Sequence, residues 1–187
     1  TAFGDLRGWI DALRDADELA EIDREVHWDV ELGTIIRMAQ GTGSGPAFLF
    51  NNITDYNGPD ALSGEVFTGG QGSYSRLAMM FGLPQDTPVR ELVKICRTIF
   101  MERLPPVTVK TGPVKENIIT GDDIDLLKFP VPKWNRGDGG RYALTYAGCV
   151  TKDPDSDVHN IGIYRGMVLD QNNLGVLLWR AQGWGNH

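Results

Sequence analysis

RYALTYAGCVTKDPDSDVHNIGIYRGMVLD, residues 141–170, decides the architecture. Two runs rich in β-branched and aromatic residues, Arg141 to Lys152 and Asn160 to Asp170, flank the turn residues Asp153-Pro154-Asp155-Ser156. This is the pattern of strands joined by a short connection. A third run, Leu174 to Arg180, follows the turn Gln171-Asn172-Asn173. Upstream, Val107 to Lys110 and Val114 to Ile119 also read as strands, and no helical pattern interrupts the region. The second part of the chain therefore reads as the opening strands of a β-sheet or barrel.

Before Pro106 the texture differs. Phe3, Leu6, Trp9, Ile10, Leu13 and Ala16 recur at helical spacing. Glu21 to Val26 reads as a short strand, and Asp29 is placed to cap a helix through Ala39 that Gly41 to Gly45 ends. Pro46 to Phe50 and Glu65 to Gly69 read as strands. Gly69-Gly70-Gln71-Gly72 leads into a helix from Ser73 to Phe81, stopped by Gly82-Leu83-Pro84. Thr87, Pro88 and Glu91 form an approximate capping pattern for a helix running to Arg103. Strands alternating with helices predict an α/β domain. The boundary falls between residues 105 and 125, giving a domain of residues 1–115 and a second of residues 116–187.

The 187 residues are 41% apolar and 23% charged, an ordinary globular balance. The net charge of −7 argues against a general nucleic-acid binder and against an anionic membrane surface. No apolar run approaches the ~20 residues of a membrane span. Thr1 to Asp5 has neither a basic n-region nor an apolar signal stretch. Cys96 and Cys149 belong to no CxxC motif, so a zinc or disulfide scaffold is not indicated. Buried structural thiols in a reducing cytoplasm fit both.

Several motifs have plain structural readings. The glycine-rich turn before Ser73 lacks the spacing of a dinucleotide fingerprint or P-loop, so a tight turn is preferred. Arg76 suits a carboxylate partner. Asp122-Asp123-Ile124-Asp125 lacks the Gly and Glu of a calcium loop and reads as a solvated acidic turn. Asn135 to Gly140 reads as a hydrophilic loop.

Residues 160–187 carry more chemistry. In a strand from Asn160, the side chains of Asn160, Gly162 and Tyr164 face one way and those of Ile161, Ile163 and Arg165 the other. A bulge at Gly162 would reconcile Asn160 with Arg165. An Asn oxygen suits hard cations such as Mg²⁺ or Mn²⁺, and the imidazole of His187 extends the choice toward transition metals. The planar fork of Arg165 suits a carboxylate or phosphate. Spacing alone favours the simpler alternative, a surface strand with one exposed Arg.

Asn160-Ile161-Gly162-Ile163-Tyr164-Arg165, followed by Met167-Val168-Leu169-Asp170, resembles the signature of the UbiD family of prenylated-flavin-dependent (de)carboxylases. The likeness extends along the chain. It takes in Ile22-Asp23-Arg24-Glu25-Val26, Gly33 to Arg37, Pro46 to Ile53, Gly72 to Gly82, Phe129-Pro130-Val131-Pro132 and Asp138 to Tyr142. Phe129 stands where Leu is commoner, and Asn135 where many members have His.

The resemblance implies an α/β N-terminal domain followed by a split β-barrel, flavin-reductase-like cofactor domain, of which residues 116–187 supply the first strands. It implies prenylated FMN held with Mn²⁺ or Mg²⁺, and K⁺ as a further ion. By position Asn160 matches a metal-ligand Asn that also contacts the cofactor. Arg165 matches the catalytic Arg that touches cofactor and substrate carboxylate, and Ile163 a residue packing near the cofactor. His187 matches the metal-ligand His. In a register with a shorter loop, Gln182 is the cofactor contact and Gly183 replaces the His. The family's later metal-ligand Glu and its Glu–Arg–Glu arrangement have no counterpart before residue 187, which predicts the N-terminal part of a longer enzyme. The implied activity is reversible non-oxidative decarboxylation of a small aromatic or α,β-unsaturated carboxylic acid, in a cytoplasmic homo-oligomer (dimer or hexamer) or with a partner chain carrying the remainder. The competing expectation is a non-catalytic assembly or scaffolding subunit.

Overall fold

The computed structural model describes residues 3–41, 45–59, 61–62, 64–102, 104–105 and 107–187. Helix α1 spans Leu6–Asp15 and begins where Asp5 Oδ1 accepts from the Gly8 amide. Strand β1 (Leu19–Ile22), helix α2 (Glu31–Gln40), and strands β2 (Ala47–Phe50) and β3 (Val66–Thr68) follow. The three strands form one sheet in the order β1-β2-β3. Helices α3 (Tyr74–Met80) and α4 (Val89–Met101) complete the first half. Ser73 caps α3 as its position predicts. Thr87 does not cap α4. Its hydroxyl donates to the Pro84 carbonyl, and Pro88 takes the cap position without a side-chain bond.

The chain divides into two compact units. The first comprises Thr1–Glu21, Met38–Leu49 and Phe67–Asp123. Its core gathers Trp9, Leu13 and Ala47, with Phe3, Leu19, Phe67 and Met79 packed around them. The glycine-rich turn belongs to this packing. A Cβ on Gly70 would meet the Phe67 and Trp9 rings at 2.8–2.9 Å, and Gly69 has φ +77°. Arg76 is 1% exposed, and its Nη1 donates to Glu18 Oε2 at 2.7 Å while Nη2 donates to the Gly45 carbonyl. Ser75 donates to the other Glu18 oxygen. The carboxylate partner expected for Arg76 is thus Glu18.

Residues 107–119 form no strand among the described residues. The backbone bonds described there are local, closing a 3-10 turn at Pro113–Lys115. Val107, Val109, Val114 and Ile118 are all exposed. Their β-branched content signals strand propensity, but a strand also needs a partner ladder. Cys96 and Cys149 are half-buried free thiols rather than core residues.

The second unit comprises Ile22–Arg37, Phe50–Val66 and Ile124–His187. Val26, Leu32, Ile36, Phe50, Ile53 and Tyr56 are among its buried apolar residues. Val26 bridges Ile53, and Asp29 bridges Lys133, each in parallel sense. Arg141, the first residue of β4 (Arg141–Lys152), sits over the Trp28 ring at 4.5 Å and the Tyr56 ring at 5.3 Å. Its guanidinium also donates to the Val131 and Phe129 carbonyls and to the Tyr56 hydroxyl.

Strand β4 pairs antiparallel with β5 (His159–Val168), which pairs with β6 (Leu174–Val176). The predicted strand over Leu174–Arg180 stops at Val176, and a four-residue helix α5 (Gly183–Asn186) follows. In the β5–β6 turn Asp170 Oδ1 accepts from the Asn172 and Asn173 amides. Hydrogen bonds from the Asn173 side chain, then the Asn172 backbone, hold the Asp170 carboxyl below its ordinary value.

Two outcomes are expected. Glu18→Ala strands the Arg76 cation in the core and costs about 3–5 kcal/mol in urea unfolding. A change under 1 kcal/mol would show the pair to be dispensable. For Asp170, a depressed folded value means that the contribution is present above the ordinary carboxyl range and is lost as pH falls. The Asn172 and Asn173 amide signals should therefore shift below about pH 4 in an NMR titration, and Asp170→Asn should remove that step.

Candidate functional site

Strand alternation sets out the site. Along β5, Asn160, Gly162 and Tyr164 are half-buried, while Ile161, Ile163 and Arg165 are exposed. The register is regular from Lys152↔His159 to Gly148↔Ile163, so Gly162 carries no bulge. The irregularities lie on the facing strand, one between Tyr142 and Leu144 and one between Leu144 and Ala147. Tyr164 pairs with Ala147 and Gly166 with Leu144, leaving Thr145 and Tyr146 opposite the single residue Arg165. The bulge therefore leaves the faces of β5 as they are. Asn160 and Arg165 remain on opposite faces, roughly 16 Å apart along an extended strand.

Gly162 has a different duty. The Tyr164 ring lies where a Cβ on Gly162 would stand. That ring stacks on Trp184 with centroids 4.3 Å apart and planes 16° apart. The Tyr164 hydroxyl also accepts from the Trp184 amide at 3.0 Å. These contacts fasten α5 to the half-buried face of β5. Gly183, in the first turn of α5, lies against the Asn160 amide group, whose atoms occupy the place of a Cβ. Only glycine permits that approach.

At the end of the turn, His187 Nδ1 is 2.8 Å from Thr151 Oγ1. Thr151 is the direct cross-strand partner of Asn160. Asn160 and His187 are thus brought to one neighbourhood, each touching an element that touches the other. Gln182 caps α5 from an exposed position and makes no side-chain cap bond. Ile163 and Arg165 share the opposite, exposed face.

The donor set suits a hard or borderline cation. Asn160 Nδ2 is buried and has no hydrogen-bond partner. An amide's oxygen and nitrogen exchange places by a simple flip, so this position is equally available to the carbonyl oxygen, a cation ligand. His187 engages one ring nitrogen, and the other is the metal-binding type. No group of three or more His, Cys, Asp or Glu able to hold a metal occurs among the described residues. Asn160 and His187 are donors of two types that such cations accept.

Sequence reading did not single out Thr151, Tyr164 or Trp184. A hairpin register places Thr151 opposite Asn160, and that register needs the exact end of the turn. The aromatic spacing of Tyr164 and Trp184 carries no pairing signal until α5 folds back.

Comparison with known proteins places these features. The N-terminal domain of 3-octaprenyl-4-hydroxybenzoate carboxy-lyase matches residues 10–96, and the Rift-related domain of the same carboxy-lyase matches residues 106–187. Pyrrole-2-carboxylic acid decarboxylase of Pseudomonas aeruginosa is 35% identical over 179 residues, covering 91% of this chain and 35% of the relative. Ferulic acid decarboxylase 1 of Saccharomyces cerevisiae is 32% identical over 188 residues, covering 95% and 37%. The closed form of vanillic acid decarboxylase from Sedimentibacter hydroxybenzoicus superposes with a TM-score of 0.87 at 28% identity, covering all of this chain and 39% of that one. The UbiD-class enzyme HmfF from Pelotomaculum thermopropionicum, in complex with FMN, gives 0.80 at 29% identity, covering 96% and 38%. The chain spans 35–37% of the length of these two curated relatives. With both domain matches in sequence, together with these relatives and a shared fold, the chain belongs to the UbiD family.

Proposed function

We propose that this chain is the N-terminal part of a carboxy-lyase that removes CO₂ reversibly from a small aromatic or α,β-unsaturated carboxylic acid with the help of prenylated FMN. The observation that carries the reading is the buried, unpartnered Asn160 Nδ2 beside the turn that ends in His187. Relatives named for pyrrole-2-carboxylic and ferulic acids support the substrate class. A neighbour solved with prenylated FMN supports the cofactor.

In this reading residues 1–115 are the N-terminal domain and residues 116–187 open a split β-barrel cofactor domain. Asn160 and His187 are ligands to Mn²⁺ or Mg²⁺, with K⁺ as a further ion, and the charge serves to neutralise the flavin phosphate. When bound, prenylated FMN supplies the electron sink for the pair released as the carboxylate departs. Arg165 holds that carboxylate through two parallel N–H···O bonds before the bond breaks. Ile163, on the same face, offers an apolar contact to a flat ring. Asn160 also contacts the cofactor, and Gln182 adds a polar contact at the edge of α5. The proton that replaces CO₂ comes from a carboxylic acid outside residues 1–187. The free thiols Cys96 and Cys149 agree with a reducing cytoplasm. A homo-oligomer or a complementary chain completes the enzyme, and an evolved form of HmfF is dimeric.

The full-length protein, loaded with prenylated FMN, is expected to release CO₂ from an aromatic acid, and Arg165→Ala to reduce that rate about 10²-fold or more. Full activity in the variant would remove Arg165 from the mechanism. Gly183→Ala is expected to push the Asn160 amide aside and lower the flavin-to-protein ratio measured by absorbance. A colourless full-length protein that takes up no flavin would favour an assembly subunit instead.

A further inference from the structure

His187 reaches its place through two anchors, both supplied by the β4–β5 hairpin. Tyr164 fastens the backbone of α5 through the Trp184 ring and amide. Thr151 fastens the imidazole itself, at Nδ1. The His187 amide closes the turn on the Gly183 carbonyl at 3.3 Å. The ring is thus oriented by one side chain, and that side chain stands directly across from Asn160.

We propose that Thr151 is a positioning residue for cation binding: it fixes the tautomer and the angle of His187 so that Nε2 faces the cation held with Asn160. The proposal rests on the reading of Asn160 and His187 as cation ligands. A ligating Nε2 has no proton, so the neutral ring carries its proton on Nδ1. A threonine hydroxyl accepts that N–H, whereas a valine of the same shape does not. Threonine is also stiff at χ1, so its oxygen is presented in few directions. The outer-shell partner of a metal-bound His is worth about 10- to 100-fold in metal affinity. The register makes the device compact: one rung of the ladder, Thr151↔Asn160, carries one ligand and the clamp for the other.

A purely structural bond from Thr151 to His187 would secure the last turn and leave the cation indifferent. The experiment separates these roles. The full-length protein is stripped of metal with a chelator and titrated with Mn²⁺, free Mn²⁺ being counted by continuous-wave EPR. Pulsed EPR on the bound ion reads the imidazole nitrogen coupling. Wild type is expected to bind Mn²⁺ and show that coupling, and His187→Ala to weaken binding and lose it. Thr151→Val is expected to weaken Mn²⁺ binding about 10-fold and alter the coupling, with Thr151→Ser restoring most of both. Unchanged affinity and coupling in Thr151→Val, beside a damaged His187→Ala, would overturn the positioning role and leave the cation reading standing. Wild-type protein without nitrogen coupling, or His187→Ala binding as wild type, would overturn the ligand reading and the positioning role with it.

Discussion

The guanidinium of Arg141 fixes where β4 begins. It lies over two aromatic rings, donates to two backbone carbonyls and meets a phenol, all supplied by residues 28–131 of its own compact unit. Arg141 is half-buried, and a cation partly withdrawn from water needs such partners. With them, the start of the strand has one acceptable position. Beyond the irregular stretch from Tyr142 to Ala147 the pairing is regular, and there a slip of one residue would turn each side chain of β4 and β5 to the other face. The half-buried Asn160 and the exposed Arg165 occupy their faces through the alternation of β5 itself.

This division gives the hairpin two chemistries. One face carries an amide, a hydroxyl, a phenol and, through α5, an imidazole. The other carries Ile161, Ile163 and Arg165, with Val150 and Tyr146 also exposed on β4. The first suits a cation and the anion it balances. The second suits a flat apolar body that bears a carboxylate. A strand with period two is an economical way to keep these demands apart.

Much of this was readable from residues alone, and the failures have physical causes. Period-two alternation and a clear turn revealed β4 and β5. The helix after Gly69-Gly70-Gln71-Gly72 was evident from its glycine-rich approach and the Gly82-Leu83-Pro84 stop. Val107 to Ile119 misled because β-branched content reports propensity and not the presence of a partner strand. The apolar run Leu177-Leu178-Trp179 misled in the same way, since pairing of β6 ends at Val176. Gly162 suggests a bulge, but its missing side chain makes room for the Tyr164 ring, and the bulge opposite Arg165 falls on β4. Of the site, Asn160 and His187 came from family likeness. Their meeting through Thr151 depends on register and on the folding back of α5, neither of which spacing reveals.

The contact of Gly183 with the Asn160 amide reaches beyond geometry. A methyl group at 183 claims space the amide already fills, so a larger residue there turns the Asn160 side chain out of its present place. The direction of the Asn160 side chain is therefore set from α5 as much as from its own strand.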